Sequence, residues 1–182
     1  MDNGNGDGRI TFDYYEAPNN GREAYQAWLH LSLSGLLNTG EMTGYKSSGR
    51  GYSNSGSGTL VPGVNTMRSG YEGVAWGIHY AQSSSSQHVA PNPYTAKQGN
   101  ALWIGGGRHP KHSSPLFTPA EIYNFEMKMD DGKPLQGKIQ VPYRLWQDGV
   151  KVTGCHSLET EDSEYLLTDD TPQCMLYFYL QQ

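Results

Sequence analysis

"TPAEIYNFEMKMDDGKPLQGKIQV", residues 118–141, changes its periodicity halfway along, and that change decides the fold class. Thr118 stands where an N-cap belongs, Pro119 suits a first helical turn, and Glu121 takes the third position of a capping box. The pattern predicts a helix from Pro119 to about Met129. Asp131-Gly132 then makes a helix stop, Pro134 and Gly137 shape a turn, and Lys138-Ile139-Gln140-Val141 begins the alternation of a strand. A helix that turns into a strand at a tight corner is a structural element, and it points to an α+β domain.

Working outward, a second amphipathic segment runs from Arg22 to Leu37. Ala24, Ala27, Trp28, Leu31 and Gly35 fall on one stripe of a 3.6-residue period. Asn19 or Asn20 offers a cap, and Asn38 to Gly40 offers stop signals; Gly35 on the apolar stripe predicts close approach to another backbone. "VAWGIHYA", "ALWIGGG", "GKIQVPYRLW" and "CMLYFYL" carry the aromatic and β-branched content of strands. The last is apolar almost throughout and should be central, whereas Pro142 marks an edge or a bulge. "KSSGRGYSNSGSGT" and "QSSSSQ" read as long, flexible surface loops at 46–59 and 82–87. The expected architecture is therefore one α+β domain over residues 1–182, an antiparallel sheet packed on helices.

Composition narrows the function classes. Hydrophobic residues make up 36% of the 182, so the core must be thin, while 13 tyrosines and four tryptophans supply large apolar area with a polar handle. A net charge of -5 and no Lys/Arg-rich patch exclude a phosphate-tracking surface, so no nucleic-acid partner is expected. Apolar runs are only a few residues long, too short to span a bilayer. No secretory leader is visible, and the polar opening directly after Met1 leads us to expect that a targeting segment has been removed.

Four polar constellations are candidates for chemistry. "NGNGDGRI", residues 3–10, matches the start of a calcium loop, with Asn3, Asn5, Asp7 and the backbone at Arg9 as ligands. Its twelfth position is Tyr14 instead of a bidentate Glu, which leaves a plain Asx/Gly turn as the competing reading. Asp130 and Asp131 form a second oxygen-rich corner. Carboxylates at a helix C-terminus oppose the macrodipole by about 0.3–1 kcal/mol each, so a cation or a backbone cap should offset them. Cys155 and Cys174 could be free thiols, metal ligands or one disulfide. Metal binding lacks companion ligands and the disulfide is preferred, which implies an oxidising compartment. Between them, Glu159, Glu161, Asp162, Glu164, Asp169 and Asp170 contribute six of the chain's 18 acids with no Lys or Arg. That segment reads as a solvated loop or as a contact surface for a basic partner or a calcium ion. Elsewhere, His109 and His112 lack the glutamate of a zinc helix, no G-x-S-x-G elbow exists, and no pair of carboxylates can be assigned as acid and base. No enzymatic activity is expected.

The stretch Glu23–Leu37, "EAYQAWLHLSLSGLL", resembles the E-x4-A/W-x-H-L-x2-A-G-L-I segment of the type IV pilin-like and type II secretion pseudopilin proteins. "GDGRI" before it resembles their G-(D)-G-x-I element, and "VPGVN", Val61–Asn65, fits the stretch that separates their two motifs. Thr118–Ile139 is similar to their P-x-x-A-Y-x-I-D-x-K-x-D-D-G-x-P-x-x-G-x-V segment, the more specific of the two, with Phe125-Glu126 in place of its I-D. The resemblance implies a pilin-like globular domain, an N-terminal hydrophobic helix upstream, and a disulfide near the C-terminus that Cys155 and Cys174 would supply. It also implies a loop site for calcium in some relatives.

The expected function is a structural subunit of a pilus or secretion pseudopilus. Such a subunit acts by assembly in the cell envelope, anchored in the inner membrane only through the missing N-terminal helix. Its partners would be other pilin or pseudopilin subunits, with secreted cargo or a host surface beyond them. The alternative is a minor-pilin adhesin or carbohydrate-binding module, for which Trp76, Trp103 and Trp146 are the stacking candidates, although each lies in a strand-like run. A secreted calcium-dependent hydrolase is a third class, for which nothing positions a nucleophile.

Overall fold

The computed structural model describes residues 4–10, 23–38, 42, 62–72, 74–81, 99–106, 115–141, 145–147, 150–152, 154–157 and 160–180. The elements run α1 (Glu23–Leu33), β1 (Val74–Ala81), β2 (Gly99–Gly106), α2 (Pro119–Met129), β3 (Ile139–Gln140), β4 (Leu145–Gln147), β5 (Val150–Val152) and β6 (Leu176–Tyr179). The expected loops at 46–59 and 82–87, the proposed cap at Asn19 or Asn20, and Pro142 lie outside the described residues.

Four strands form an antiparallel sheet in the order β1-β2-β6-β3, and β4 pairs with β5 in a separate hairpin. β6 is central, as its continuous apolar run predicts, because a strand flanked on both sides and covered on both faces has no polar side to alternate with. β5 was not foreseen, although the Asp148-Gly149 pair between two short apolar runs is a hairpin signal.

Strand alternation sends side chains to two apolar faces. On one, Val74, Ile104, Leu176 and Ile139 pack with Ile122 of α2, Val141, Tyr165 and the two cysteines. Ile122 is fully buried, which contributes about 1.5–3 kcal/mol. On the other, Ala75, Ala81, Ala101, Trp103, Tyr177 and Tyr179 pack with Met175 and Tyr25. β1 and β2 interlock there through a size match: Trp103 lies opposite Gly77, and its indole occupies the space that a β-carbon at 77 would need.

α1 contacts β1 and divides its aromatic residues between clusters. Trp28, 3% exposed, joins Met42 and Ile78, while Tyr25 joins the Trp103 cluster. The helix ends at Leu33, four residues short of the expected Leu37. The Ser34 hydroxyl donates to the Leu31 carbonyl at 2.9 Å, and Gly35 adopts φ 72. Gly35 thus terminates the helix in the left-handed region, and no atom of the described residues lies within 4 Å of the position its β-carbon would take, so the expected close backbone approach is not seen among them.

Candidate functional site

α2 is built as its sequence dictates. The Thr118 hydroxyl accepts from the Glu121 amide at 3.2 Å and the Glu121 carboxylate accepts from the Thr118 amide at 2.8 Å, a complete capping box. At its other end the chain turns sharply into β3. Asp130 Oδ2 accepts the backbone amides of Lys138 and Ile139, the latter at 2.7 Å, and Asp131 Oδ1 accepts the Lys133 amide at 2.9 Å. Gly132 and Gly137 both adopt positive φ, and at Gly137 a side chain would collide with the Asp130 carboxylate. Asp130 is thus a staple from the end of α2 to the start of β3, the backbone cap that offsets its unfavourable place at a helix C-terminus.

Asp130→Ala is expected to cost about 1–3 kcal/mol, because it strands two amides of which the Ile139 N–H is part-buried. Asp131→Ala, which frees one exposed amide, should cost clearly less. Urea unfolding of the two variants measures the difference, and equal losses would show that the corner does not depend on the staple.

The opening loop folds as successive Asx turns. Asn5 Oδ1 accepts the Asp7 amide at 3.0 Å and Asp7 Oδ1 accepts the Arg9 amide at 2.8 Å, with Gly6 and Gly8 at positive φ. Asn5 Nδ2 donates to Asp7 Oδ2 at 3.1 Å, and the Arg9 guanidinium lies 4.8 Å from the centre of the Tyr80 ring. The oxygens of Asn5 and Asp7 thus serve their own loop; Asn3 lies outside the described residues. The loop is pinned from afar by Asn100, whose Oδ1 accepts the Ile10 amide and whose Nδ2 donates to the Gly8 carbonyl, both at 2.9 Å. Among the described residues, no three His, Cys, Asp or Glu side chains form a group that could hold a metal ion.

Cys155 and Cys174 form a disulfide, with Cα atoms 5.1 Å apart. The described residues of the segment it closes are joined by their own backbone hydrogen bonds. His156 pairs with Tyr165, the Ser157 amide donates to the Glu164 carbonyl at 2.9 Å, and the Leu166 amide donates to the Cys155 carbonyl at 3.1 Å. At its base, Cys174 pairs with Phe117, just ahead of α2. Glu161, Asp162, Glu164 and Asp170 are exposed, and Asp169 is half-buried. The Thr171 hydroxyl and amide both donate to Asp169 Oδ1, which holds its carboxyl below the usual range. Glu159, His109 and His112 lie outside the described residues.

Two groups were missed by sequence reasoning. His156 and Ser163 are both buried, with Nδ1 2.9 Å from Oγ. This is a nucleophile-and-base spacing, but the burial of both side chains makes the pair a brace inside the loop. Glu126 is the other. It sits on the buried face of α2 with Pro119 and Ile122, at i, i+3 and i+7, so the signal was a carboxylate on an apolar stripe. Burial, the largest influence, pushes its carboxyl up to about 8. The facing Tyr165 hydroxyl pulls it down, and the carboxylates of Asp131 and Asp130 push it up further. Burial likewise raises the Tyr165 phenol.

Of the tryptophans considered for sugar stacking, Trp103 is in the core and Trp76 is half-buried, its ring 5.6 Å from Phe178. Among the described residues, no helix is long and apolar enough to cross a membrane. Comparison with protein-family models, curated proteins and solved structures gives no match to this chain.

Proposed function

We propose that this chain is the globular domain of a pilin-like subunit, assembled into a pilus or secretion pseudopilus by contacts with sister subunits. The observation that carries the reading is the corner at 118–141, the stretch of most specific resemblance. Its two aspartates turn their oxygens onto backbone amides and so set the angle between a capped helix and an antiparallel sheet. The cystine that closes the following segment, Cys155–Cys174, supports the same reading. In this role the domain makes and breaks no bonds. It stands in the cell envelope on an upstream membrane helix and offers the exposed acids of the disulfide-closed segment to neighbours, secreted cargo or a host surface.

The test is crosslinking of the full-length chain in intact cells of its natural host. Single cysteines at the exposed positions Glu161 and Asp170, treated with a short bifunctional reagent, should give adducts with pilin-like subunits. Those adducts should disappear when filament assembly is blocked. Adducts confined to unrelated proteins, or none in cells that assemble filaments, would overturn the assignment.

A further inference from the structure

Glu126 lies in the seam between α2 and the disulfide-closed segment, 0% exposed, and neither of its carboxyl oxygens meets a partner at hydrogen-bonding geometry. The groups around it come from three directions. The disulfide-closed segment presents the Tyr165 hydroxyl, itself buried and unpartnered. The corner at the end of α2 adds the negative charges of Asp130 and Asp131. Tyr165, and Ile122 one turn before Glu126, belong to the apolar cluster that Ile104, Ile139 and Leu176 form on the sheet side. Lys128, Lys133 and Lys138 of this stretch are exposed, and the segment's other buried titratable group, His156, is engaged with Ser163.

We propose that Glu126 is a proton-dependent latch: as the neutral acid it seats the described residues 160–174 of the disulfide-closed segment on α2, and on losing its proton it forces that seam open. A carboxylate buried beside two further carboxylates has only the Tyr165 hydroxyl to set against its lost hydration. The neutral acid has no such penalty, and the Tyr165 hydroxyl across the seam, which favours the charged form, offsets only part of it. The segment carries the exposed Glu161, Asp162, Glu164 and Asp170, so the latch decides whether those acids form a fixed array or ride on a loosened segment. This inference stands apart from the assembly reading and survives its failure.

The sign follows from the two states. Glu126 titrates near 8 when folded, against an ordinary 4.5. Its stabilising effect is complete below pH 4.5, declines as pH rises, and is lost on passing through 8. Over that window this group alone lowers the folding equilibrium constant by up to about 3000-fold.

The test uses the full chain with its disulfide intact. The Glu126 carboxyl carbon, followed by NMR, should titrate near pH 8. The urea midpoint of the wild type should fall from pH 5 to pH 8 and then level, while Glu126→Gln removes that component. Above pH 8, the Ser157 and Leu166 amides should exchange faster, after correction for intrinsic rates, than the Trp76 and Tyr80 amides that fix β1. A carboxyl titrating near 4.5, or an unchanged pH profile in Glu126→Gln, overturns the proposal. So does an exchange rise shared equally by β1, which would make the opening global. Should Glu126→Gln not fold, the wild-type carbon titration decides, together with Tyr165→Phe. Loss of the phenol should move the titration upward, and an unmoved titration overturns the pairing across the seam.

Discussion

Replacing Cys155 and Cys174 together by alanine is expected to lower stability by about 2–5 kcal/mol. The chain-entropy part of this is about 3 kcal/mol, the cost of letting a loop of this length explore open conformations. The remainder comes from position. Both cysteines are buried in the cluster formed by Val74, Ile104, Ile122 and Leu176, so shortening them leaves poorly filled space under α2. Urea unfolding of the oxidised protein, the reduced protein and the double variant separates the two contributions. Reduction keeps the sulfurs in place and should show the entropic part alone, and the variant should be less stable again. A loss below about 1 kcal/mol in the double variant would mean that the hydrogen bonds of residues 155–174 hold the segment without the crosslink.

The second large effect is expected at the Gly77–Trp103 pair. Gly77→Ala adds one methyl group, which in an unobstructed strand is neutral or favourable. Here the methyl meets the Trp103 indole from the neighbouring strand, and the ring has little room to move in a packed cluster. We expect a loss of about 1–3 kcal/mol by overpacking. Trp103→Ala should cost about 3–5 kcal/mol through the cavity it leaves. The double variant is the informative one. With the indole gone the methyl at 77 has space, so the combined loss should fall short of the sum of the singles, a coupling readable in a double-mutant cycle. Additive losses would show that the two residues do not share the space assigned to them.

What could be read from the residues was what local chemistry dictates. α2 carries its start signal, its stop and its period within a few residues of one another, and both bounds are where the sequence puts them. The central place of β6 followed from its unbroken apolar run, and the disulfide was preferred because two isolated cysteines lack further metal ligands. The end of α1 was misplaced because Gly35 falls on the apolar stripe, where a packing role and a terminating role look alike. Glu126 was passed over because a charged residue is assumed to face water, although its spacing from Ile122 put it inside. Other features had no local signal. The opening loop is held by Asn100, more than ninety positions away in the case of Gly8, and the seating of Trp103 over Gly77 depends on strand register. Neighbouring residues do not encode either one.

The placement of β6 has a consequence in time. Residues 176–179 lie between β2 and β3, so the sheet has a gap at its centre until nearly the whole described chain is available. A ribosome or a translocation channel that releases the polypeptide from its first residue onward therefore delivers the keystone after every other described strand. Until it arrives, the flanks of β2 and β3 stay unsealed, and the partners that must meet are far apart in the chain. Acquisition of structure should be slow and all-or-none. A nascent chain stalled before residue 176 should be digested readily by protease, and one released a few residues beyond 180 should resist it.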